Sequence, residues 1–233
     1  MSITGSIQHA LSLNKPLSDK TDEDIDRISD HPPLAGNINF CDKQLNFISW
    51  NVMQGVGGFR RNKLNGGKDK LPDAANNKLK DYIINLTSTE DLHFILLQEI
   101  KRETITEILT QRIERKWDIT QDISSELVIL YNNTKLKEYG MEINTSITIN
   151  HSPKEVMVLP LQYKNTSADN KTTTVTLGIA NIHFRLKKDK EVGPNIKSII
   201  KECIDTFVAA STNGIVALIG DTNIKLSGPP DNP

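Results

Sequence analysis

The stretch LNFISWNVMQG, residues 45 to 55, begins as an apolar run and ends on a polar side chain. Short apolar runs bounded by turn residues are typical of buried strands. The run stops at Asn51, whose side-chain amide carries two donor hydrogens and an acceptor oxygen. A loop with Gly55, Gly57 and Gly58 follows. An asparagine can simply cap a strand, so this stretch alone predicts a strand and nothing more.

Three further apolar runs end in a similar way. FILLQ leads to Glu99, GIAN leads to His183, and VALIG leads to Asp221, with Asn223 two residues later. A carboxylate directly after a buried run is costly unless it is paired or bound to a metal ion. Together these carboxylates, amides and imidazole form an oxygen-rich set that suits a hard cation such as Mg²⁺. Strand capping is the better interpretation of any one of these residues, but a poorer one of all of them together.

Basic residues follow three of the same run ends. Arg60 and Arg61 come after Asn51, Lys101 and Arg102 come after Glu99, and Arg185 comes after His183. The formal net charge of -1 argues against a general polyanion-binding protein. If the run ends share one rim, that rim is locally basic and attracts a substrate that bears phosphate. The alternative is a set of solvated, lysine-rich loops.

The composition is that of an ordinary globular protein. Of 233 residues, 37% are hydrophobic and 24% are charged, which is close to average usage. Cys41 and Cys203 are far apart and form no CxxC pair, so we expect free thiols in a reducing compartment. We predict no transmembrane segment, because no run approaches the ~18 apolar residues that a span needs. The N-terminus lacks a signal-peptide pattern, which predicts a cytoplasmic protein or one exported without a classical signal peptide.

The order of elements predicts an α+β protein of two domains or segments. Apolar residues recur at helical spacing in residues 73–86, 102–115 and 193–211, between the strand-like runs. This mixture predicts two packed sheets with helices outside. Residues 1–38 contain an acidic run and the breaker HPP, and we predict an N-terminal extension, partly disordered or helical. Its composition alone supports a targeting or secretion role as an alternative. Residues 39–233 are predicted to form one domain.

Four motifs carry a resemblance to a known family. SWNV, FILLQE, NIHF and GDTN, in this order, resemble the endonuclease/exonuclease/phosphatase family, whose fold is that of deoxyribonuclease I. SELVILYNNTKL also resembles a strand of that family, and the likeness runs from about Asn46 to Ser227. The resemblance implies a four-layer α/β/β/α sandwich with two mixed sheets and a site at one end.

The resemblance also implies a role for each motif residue. Glu99 would hold Mg²⁺, with Mn²⁺ as the alternative, and Asn51 beside it would orient the metal or the phosphate. Asp221 would orient or help to activate the attacking water. Asn223 would contact the phosphate, and His183 would hydrogen-bond a phosphate oxygen. The implied reaction is in-line attack of water on phosphorus.

One part of the family pattern is expected to be missing. The family closes its site with a Ser-Asp-His stretch on a later strand, whose histidine acts as base or charge partner. We expect no such triplet anywhere in this chain, and only ten residues follow Asn223. We therefore expect the C-terminal Ser-Asp-His part and the final strands to be absent, which would leave a sheet edge unpaired. This pattern favours an incomplete copy of a longer enzyme over a chain that has lost catalysis.

The sequence thus predicts a Mg²⁺-dependent phosphoesterase that is most similar to nucleases. DNA is the first candidate substrate, because SWNVMQG is similar to stretches in DNA-cutting members of the family. Phosphoinositides and phospholipid head groups such as that of sphingomyelin are the next candidates. The alternative from another class is a non-catalytic binding module that keeps the sandwich and its basic rim. Nothing in the sequence indicates an oligomeric state.

Overall fold

The computed structural model describes residues 4–9, 33–52, 73–111, 116–120, 126–145, 147, 156–166, 172–184, 195–211 and 213–222. The strands in these residues are β1 Thr4–His9, β2 Leu34–Phe40, β3 Lys43–Asn51, β4 Leu92–Gln98, β5 Trp117–Thr120, β6 Val128–Asn132, β7 Met141–Ile143, β8 Val156–Thr166, β9 Thr172–His183 and β10 Gly214–Asp221. The helices are α1 Asp73–Thr87, α2 Arg102–Gln111, α3 Asn133–Glu138 and α4 Asn195–Ala210. No helix of the described residues is long and apolar enough to cross a membrane.

The strands form two mixed sheets. The six-stranded sheet has the order β1-β2-β3-β4-β6-β5, and the four-stranded sheet has the order β10-β9-β8-β7. Strands β3 and β4 are parallel, as are β9 and β10, whereas the other neighbouring pairs are antiparallel. The predicted α+β class with two mixed sheets is confirmed.

Three apolar clusters hold four layers together. The first cluster packs α1 and α2, through residues such as Tyr82 and Ile105, on the outer face of the six-stranded sheet. The second lies between the two sheets and joins Phe94 of β4 to Ile179 of β9. The third packs α4, through Phe207, on the outer face of the four-stranded sheet. The layer order is therefore helix, sheet, sheet, helix, as the resemblance implies.

Strand β4 shows why the core strands read as continuous apolar runs. All seven of its residues are buried, because the strand is covered on both faces. Ile95 and Leu97 face the helices, whereas Phe94 and Leu96 face the other sheet. This two-residue alternation is the ordinary periodicity of a strand. The apolar run FILL is thus fully accounted for by packing.

The structure corrects the predicted division at residue 38. Strand β2 crosses this boundary and pairs with β3 from Leu34 opposite Ser49 to Phe40 opposite Lys43. Strand β1 pairs with β2 on its other side. Part of the predicted extension is therefore sheet, neither helical nor disordered. The sequence LAGNINF hides its strand character, because small and polar residues interrupt the apolar alternation that marks an ordinary strand.

Candidate functional site

The candidate site lies where two parallel strand pairs end. In the six-stranded sheet Asn51, the last residue of β3, is opposite Gln98, the last residue of β4. In the four-stranded sheet Asp221, the last residue of β10, is opposite His183, the last residue of β9. Parallel strands present their carboxyl ends at the same edge of a sheet. Because the two sheets are stacked, both edges contribute to one end of the sandwich.

The structure brings together four of the predicted site residues. Asn51 Nδ2 donates to Glu99 Oε1 at 3.2 Å and to Asp221 Oδ2 at 3.0 Å. His183 Nε2 lies 3.2 Å from the same Glu99 Oε1. The amide of Asn51 thus bridges two carboxylates that come from different sheets. One continuous polar cluster connects the ends of β3, β4, β9 and β10, and we call these four residues the site cluster.

Two of the four residues of the site cluster are buried, and Glu99 and Asp221 are partly exposed. Asn51 is 4% exposed and His183 is 2% exposed, whereas the side chain of Glu99 keeps 16% of its surface. Of the two site residues that the six-stranded sheet supplies, Glu99 is therefore the one in contact with solvent. Among the described residues, His183 Nδ1 has no hydrogen-bond partner. A buried polar atom of this kind is costly and is commonly found where function requires it.

Glu99 has a backbone conformation that is unfavourable for its residue type. Its φ is +54°, in the left-handed region that side chains with a Cβ rarely adopt. Such a conformation costs about 1–3 kcal/mol and persists only where surrounding contacts fix it. The turn follows β4 immediately and directs the Glu99 carboxylate to Asn51 and His183. Strained residues of this kind cluster at functional sites.

Gly220 explains the glycine of the GDTN motif. Its φ is +145°, and a Cβ at this position would lie 2.0 Å from the carbonyl oxygen of Ile182. No side chain fits in that space. The close approach holds β10 against β9 directly before Asp221, whose register partner is His183. Glycine is therefore required here so that the carboxylate and the imidazole reach the same end of the sandwich.

The chemistry of the site cluster fits a hard divalent cation. Glu99 and Asp221 are carboxylates that both accept from the side-chain amide of Asn51, and nearby carboxylates repel each other unless a cation or donors lie between them. Mg²⁺ binds through one or two protein carboxylates and completes its shell with water and phosphate. Within the described ranges no group of three or more His, Cys, Asp or Glu side chains is arranged to hold a metal ion.

A second polar set lies beneath the site cluster, and the sequence analysis missed it. Ser49, Gln98 and Asn181 are buried between the sheets and linked by hydrogen bonds from Gln98 Nε2 to Ser49 Oγ at 3.2 Å and to Asn181 Oδ1 at 2.6 Å. We call these three residues the polar layer. A signal was available in the sequence, because Ser49 and Asn181 interrupt apolar runs two residues before Asn51 and His183.

Four of the predicted site residues lie outside the described residues. They are Arg60, Arg61, Arg185 and Asn223. Their predicted contacts with substrate phosphate therefore stay predictions.

A Ser-Asp-His triplet is present in the chain, and the sequence analysis missed it. It occurs once, as Ser29-Asp30-His31, before the four other motifs in the chain, whereas the family pattern has it after them. The expectation that the chain lacks this triplet is therefore corrected. The triplet lies outside the described residues, but β2 begins at Leu34, three residues after His31. Leu34 is opposite Ser49, so β2 starts at the end of the sheet where β3 reaches Asn51.

Comparisons with known proteins give distant structural likenesses. No protein-family model matches the chain, and no curated protein matches it. A structure of D. rerio TDP2 humanized by 14 mutations is 16% identical, with 78% of this chain and 63% of that chain covered and a TM-score of 0.43. D. rerio TDP2 complexed with single-stranded DNA product is 16% identical, with 78% and 61% covered and a TM-score of 0.43. TDP2 from C. elegans is 14% identical, with 79% and 50% covered and a TM-score of 0.44. The chain thus spans between half and two thirds of the length of these structures.

Proposed function

We propose that this chain is a phosphoesterase of the endonuclease/exonuclease/phosphatase type that depends on Mg²⁺ and hydrolyses a phosphate ester, with DNA as the first candidate substrate. The observation that carries the proposal is the site cluster itself. Two carboxylates from different sheets share the amide of Asn51, and His183 contacts one of them, at one end of a four-layer sandwich. The four motifs that resemble the family supply these four side chains.

Each side chain has a task in this proposal. Glu99 and Asn51 would hold Mg²⁺ or Mn²⁺, which supplies a Lewis acid that offsets negative charge on the phosphoryl oxygens. Asp221, whose Oδ2 already accepts from Asn51, would accept a hydrogen bond from the attacking water and so orient it. The buried ring of His183 would donate to a phosphate oxygen. These groups are fixed before substrate arrives, which lowers the cost of reorganisation during the reaction.

We assign the role of proton acceptor to His31, with Asp30 as its partner. The support is the match of Ser29-Asp30-His31 to the family's closing triplet and the register of the strand that follows it. Leu34 lies beside Ser49, and three residues span at most about 11 Å of chain. A general base of this kind contributes about 10² to 10⁴ in rate. We expect His31→Asn to lower kcat by that factor, whereas His151→Asn, at a histidine with no assigned role, leaves kcat unchanged.

DNA is preferred to lipid head groups on the basis of sequence. SWNVMQG is similar to stretches in DNA-cutting members of the family, and Arg60, Arg61 and Arg185 follow two of the site motifs. Basic side chains near the site would attract a phosphate backbone. Phosphoinositide and phospholipid head groups present the same phosphate chemistry and remain substrates to be compared in the assay.

Hydrolysis assays on three substrates test the proposal. The purified chain is incubated with end-labelled single-stranded DNA, with bis(p-nitrophenyl) phosphate and with phosphoinositide vesicles, each with Mg²⁺ and with chelator. We expect Mg²⁺-dependent cleavage, fastest on DNA, and a loss of at least about 10²-fold for Glu99→Gln. Glu90→Gln, at an exposed carboxylate, is the matched control and should keep full activity.

The outcomes separate the two classes of function. Cleavage that ignores Mg²⁺, or that Glu99→Gln leaves undiminished, would contradict the assignment of Glu99. Binding of DNA without hydrolysis, unchanged by Glu99→Gln, would instead support the non-catalytic binding module.

A further inference from the structure

A polar side chain, that of Asn181, lies in the middle of the core. Asn181 is 0% exposed and belongs to β9 of the four-stranded sheet. Its Nδ2 donates to the carbonyl oxygens of Leu97 at 2.9 Å and Val128 at 3.0 Å. Its Oδ1 accepts from Gln98 Nε2 at 2.6 Å. Both donor hydrogens of the amide are therefore used, and all three bonds cross from one sheet to the other.

Gln98 extends these contacts to a third strand of the six-stranded sheet. Its Nε2 also lies 3.2 Å from Ser49 Oγ on β3 and 3.2 Å from the carbonyl oxygen of Leu96 on its own strand. The polar layer thus connects β9 to β3, β4 and β6. It forms a directional link between the two sheets in a region otherwise packed by apolar side chains.

The register places the polar layer directly beneath the site cluster. Side chains at positions i and i+2 of a strand lie on the same face. Asn181 is therefore on the face of β9 that carries His183, and Ser49 is on the face of β3 that carries Asn51. Two strand residues span roughly 7 Å. Gln98 of the polar layer directly precedes Glu99 of the site cluster. The left-handed backbone of Glu99 directs its carboxylate to Asn51 and His183.

Apolar packing alone does not fix the position of one sheet relative to the other. Hydrophobic attraction has no preferred direction, whereas a buried amide with all its bonds made holds one relative position. The site needs such a constraint, because His183 and Glu99 come from different sheets and meet at 3.2 Å. Displacements of about 1 Å in a catalytic arrangement can lower the rate about 10²-fold.

We infer that Asn181 is a positioning residue, which fixes the two sheets so that His183 and Glu99 meet at the site. Asn181 itself has no contact with the substrate in this account. The inference rests on the proposed function for its effect on hydrolysis, but the effect on the His183 ring can be measured without it.

Two Asn181 variants and a matched control test the inference. Asn181→Leu removes all three hydrogen bonds at similar volume, and Asn181→Ser is a smaller change if the first variant does not fold. The control is Leu177→Ala, because Leu177 is 0% exposed on the same face of β9 and lies roughly 13 Å along the strand from Asn181. This control loosens the core and leaves the polar layer intact. All measurements use a temperature at which each variant is folded, as judged by urea unfolding.

The first readout is the His183 imidazole in ¹H–¹⁵N NMR spectra of ¹⁵N-histidine-labelled protein, assigned by comparison with His183→Gln. The second is the split between kcat and KM for DNA hydrolysis. We expect the Asn181 variants to shift the His183 ring signals and to lower kcat by 10- to 100-fold with KM within about threefold. Leu177→Ala should leave the ring signals unchanged and kcat within twofold.

Two results would overturn the inference. One is unchanged His183 ring signals in the folded Asn181 variant. The other is an equal change in Leu177→Ala, which would mean that general loosening of the core explains the effect. If the wild-type chain hydrolyses none of the substrates, the proposed function fails, and the ring signals still decide whether Asn181 positions His183.

Discussion

Glu99 combines strain, partial burial and two charged or polar partners in one residue. Its φ of +54° is unfavourable for any side chain with a Cβ, and its Oε1 faces both Asn51 and His183. A glycine would adopt this backbone without strain. The contacts of the carboxylate therefore hold a conformation that the backbone alone would avoid, as expected of a residue kept for its chemistry.

A pair of substitutions separates the backbone strain from the carboxylate. Both Glu99→Ala and Glu99→Gly remove the side-chain contacts, but only glycine relieves the left-handed backbone. We expect Glu99→Gly to exceed Glu99→Ala in free energy of unfolding by about 1 kcal/mol, measured by urea denaturation. Both variants should lack hydrolysis. At the exposed residue Glu90 the same pair should show glycine no more stable than alanine, and the same ranking at both positions would contradict the account.

His93 is a buried histidine outside the site cluster, and it makes stability depend on pH. Its ring is 1% exposed, and its Nδ1 accepts a hydrogen bond from the backbone N–H of Asn46 at 3.1 Å. Burial lowers the pKa of His93, and the positive charge of Lys135 adds to this effect, whereas Asp91 and Glu138 oppose it. The folded protein therefore favours the neutral ring.

The sign of the pH effect follows from this lowered pKa. The unfolded chain takes up a proton at His93 near pH 6.5, before the folded protein does, so stability is full above that pH and is lost as the pH falls through the folded pKa. We expect the free energy of unfolding of wild type to fall between pH 7.5 and 5.5. His93→Asn, which keeps an acceptor for Asn46, should show a smaller fall. Identical pH slopes for the two proteins in urea denaturation would exclude His93 as the source.

Sequence reasoning at the residue scale predicted which polar side chains stand at the ends of buried strands, whereas their roles stay predictions. Asn51, Glu99, His183 and Asp221 were all found in this way, and the structure brings them together. It failed for the polar layer, because a single Ser or Asn inside an apolar strand is indistinguishable from an ordinary strand residue. It also failed for Glu99 φ, since no sequence pattern predicts a strained conformation of a glutamate.

At the scale of elements, the apolar strands were predicted well and the edge of the six-stranded sheet was not. Runs such as FILLQ and VALIG are buried and correspond to β4 and β10. Strands β1 and β2 were missed because their sequences contain few alternating apolar residues. Helix α3 was also missed, although Asn132 caps it by accepting from Lys135 N at 3.1 Å, because six residues show little helical periodicity.

The turn between β2 and β3 offers a test at this scale. Phe40 is opposite Lys43, so Cys41 and Asp42 form a two-residue turn, and Cys41 has a φ of +56°. Glycine is favoured at such positions. We expect Cys41→Gly to raise the free energy of unfolding by up to about 1 kcal/mol. Cys203→Ala, at a buried thiol on α4, should instead lower it, and loss of stability in Cys41→Gly would contradict this description of the turn.

At the scale of the whole molecule, the pairing of strands in the sheet determines which residues are near the site, whatever the order of those strands in the chain. In the family pattern the closing triplet follows the other motifs, and its absence after Asn223 predicted an unpaired sheet edge. In the described residues β3 is an interior strand, with β2 on one side and β4 on the other, and β10 lies at an edge of the four-stranded sheet. The strand that begins three residues after His31 lies beside the strand that ends at Asn51. The antiparallel neighbour of a strand can precede it or follow it in the chain. The order of the motifs alone therefore could not predict that β2 lies beside β3.

Binding of Mn²⁺ by the full chain tests the central claim most directly, since Mn²⁺ replaces Mg²⁺ at oxygen-rich sites and is detected by electron paramagnetic resonance. The account predicts that wild type and Glu90→Gln bind the ion with the same affinity. Glu99→Gln and Asp221→Asn should each bind it at least about tenfold more weakly, with circular dichroism spectra like that of wild type. Equal affinity in all four proteins, or no binding by wild type, would contradict the claim that the cluster of Asn51, Glu99, His183 and Asp221 is a cation-dependent site.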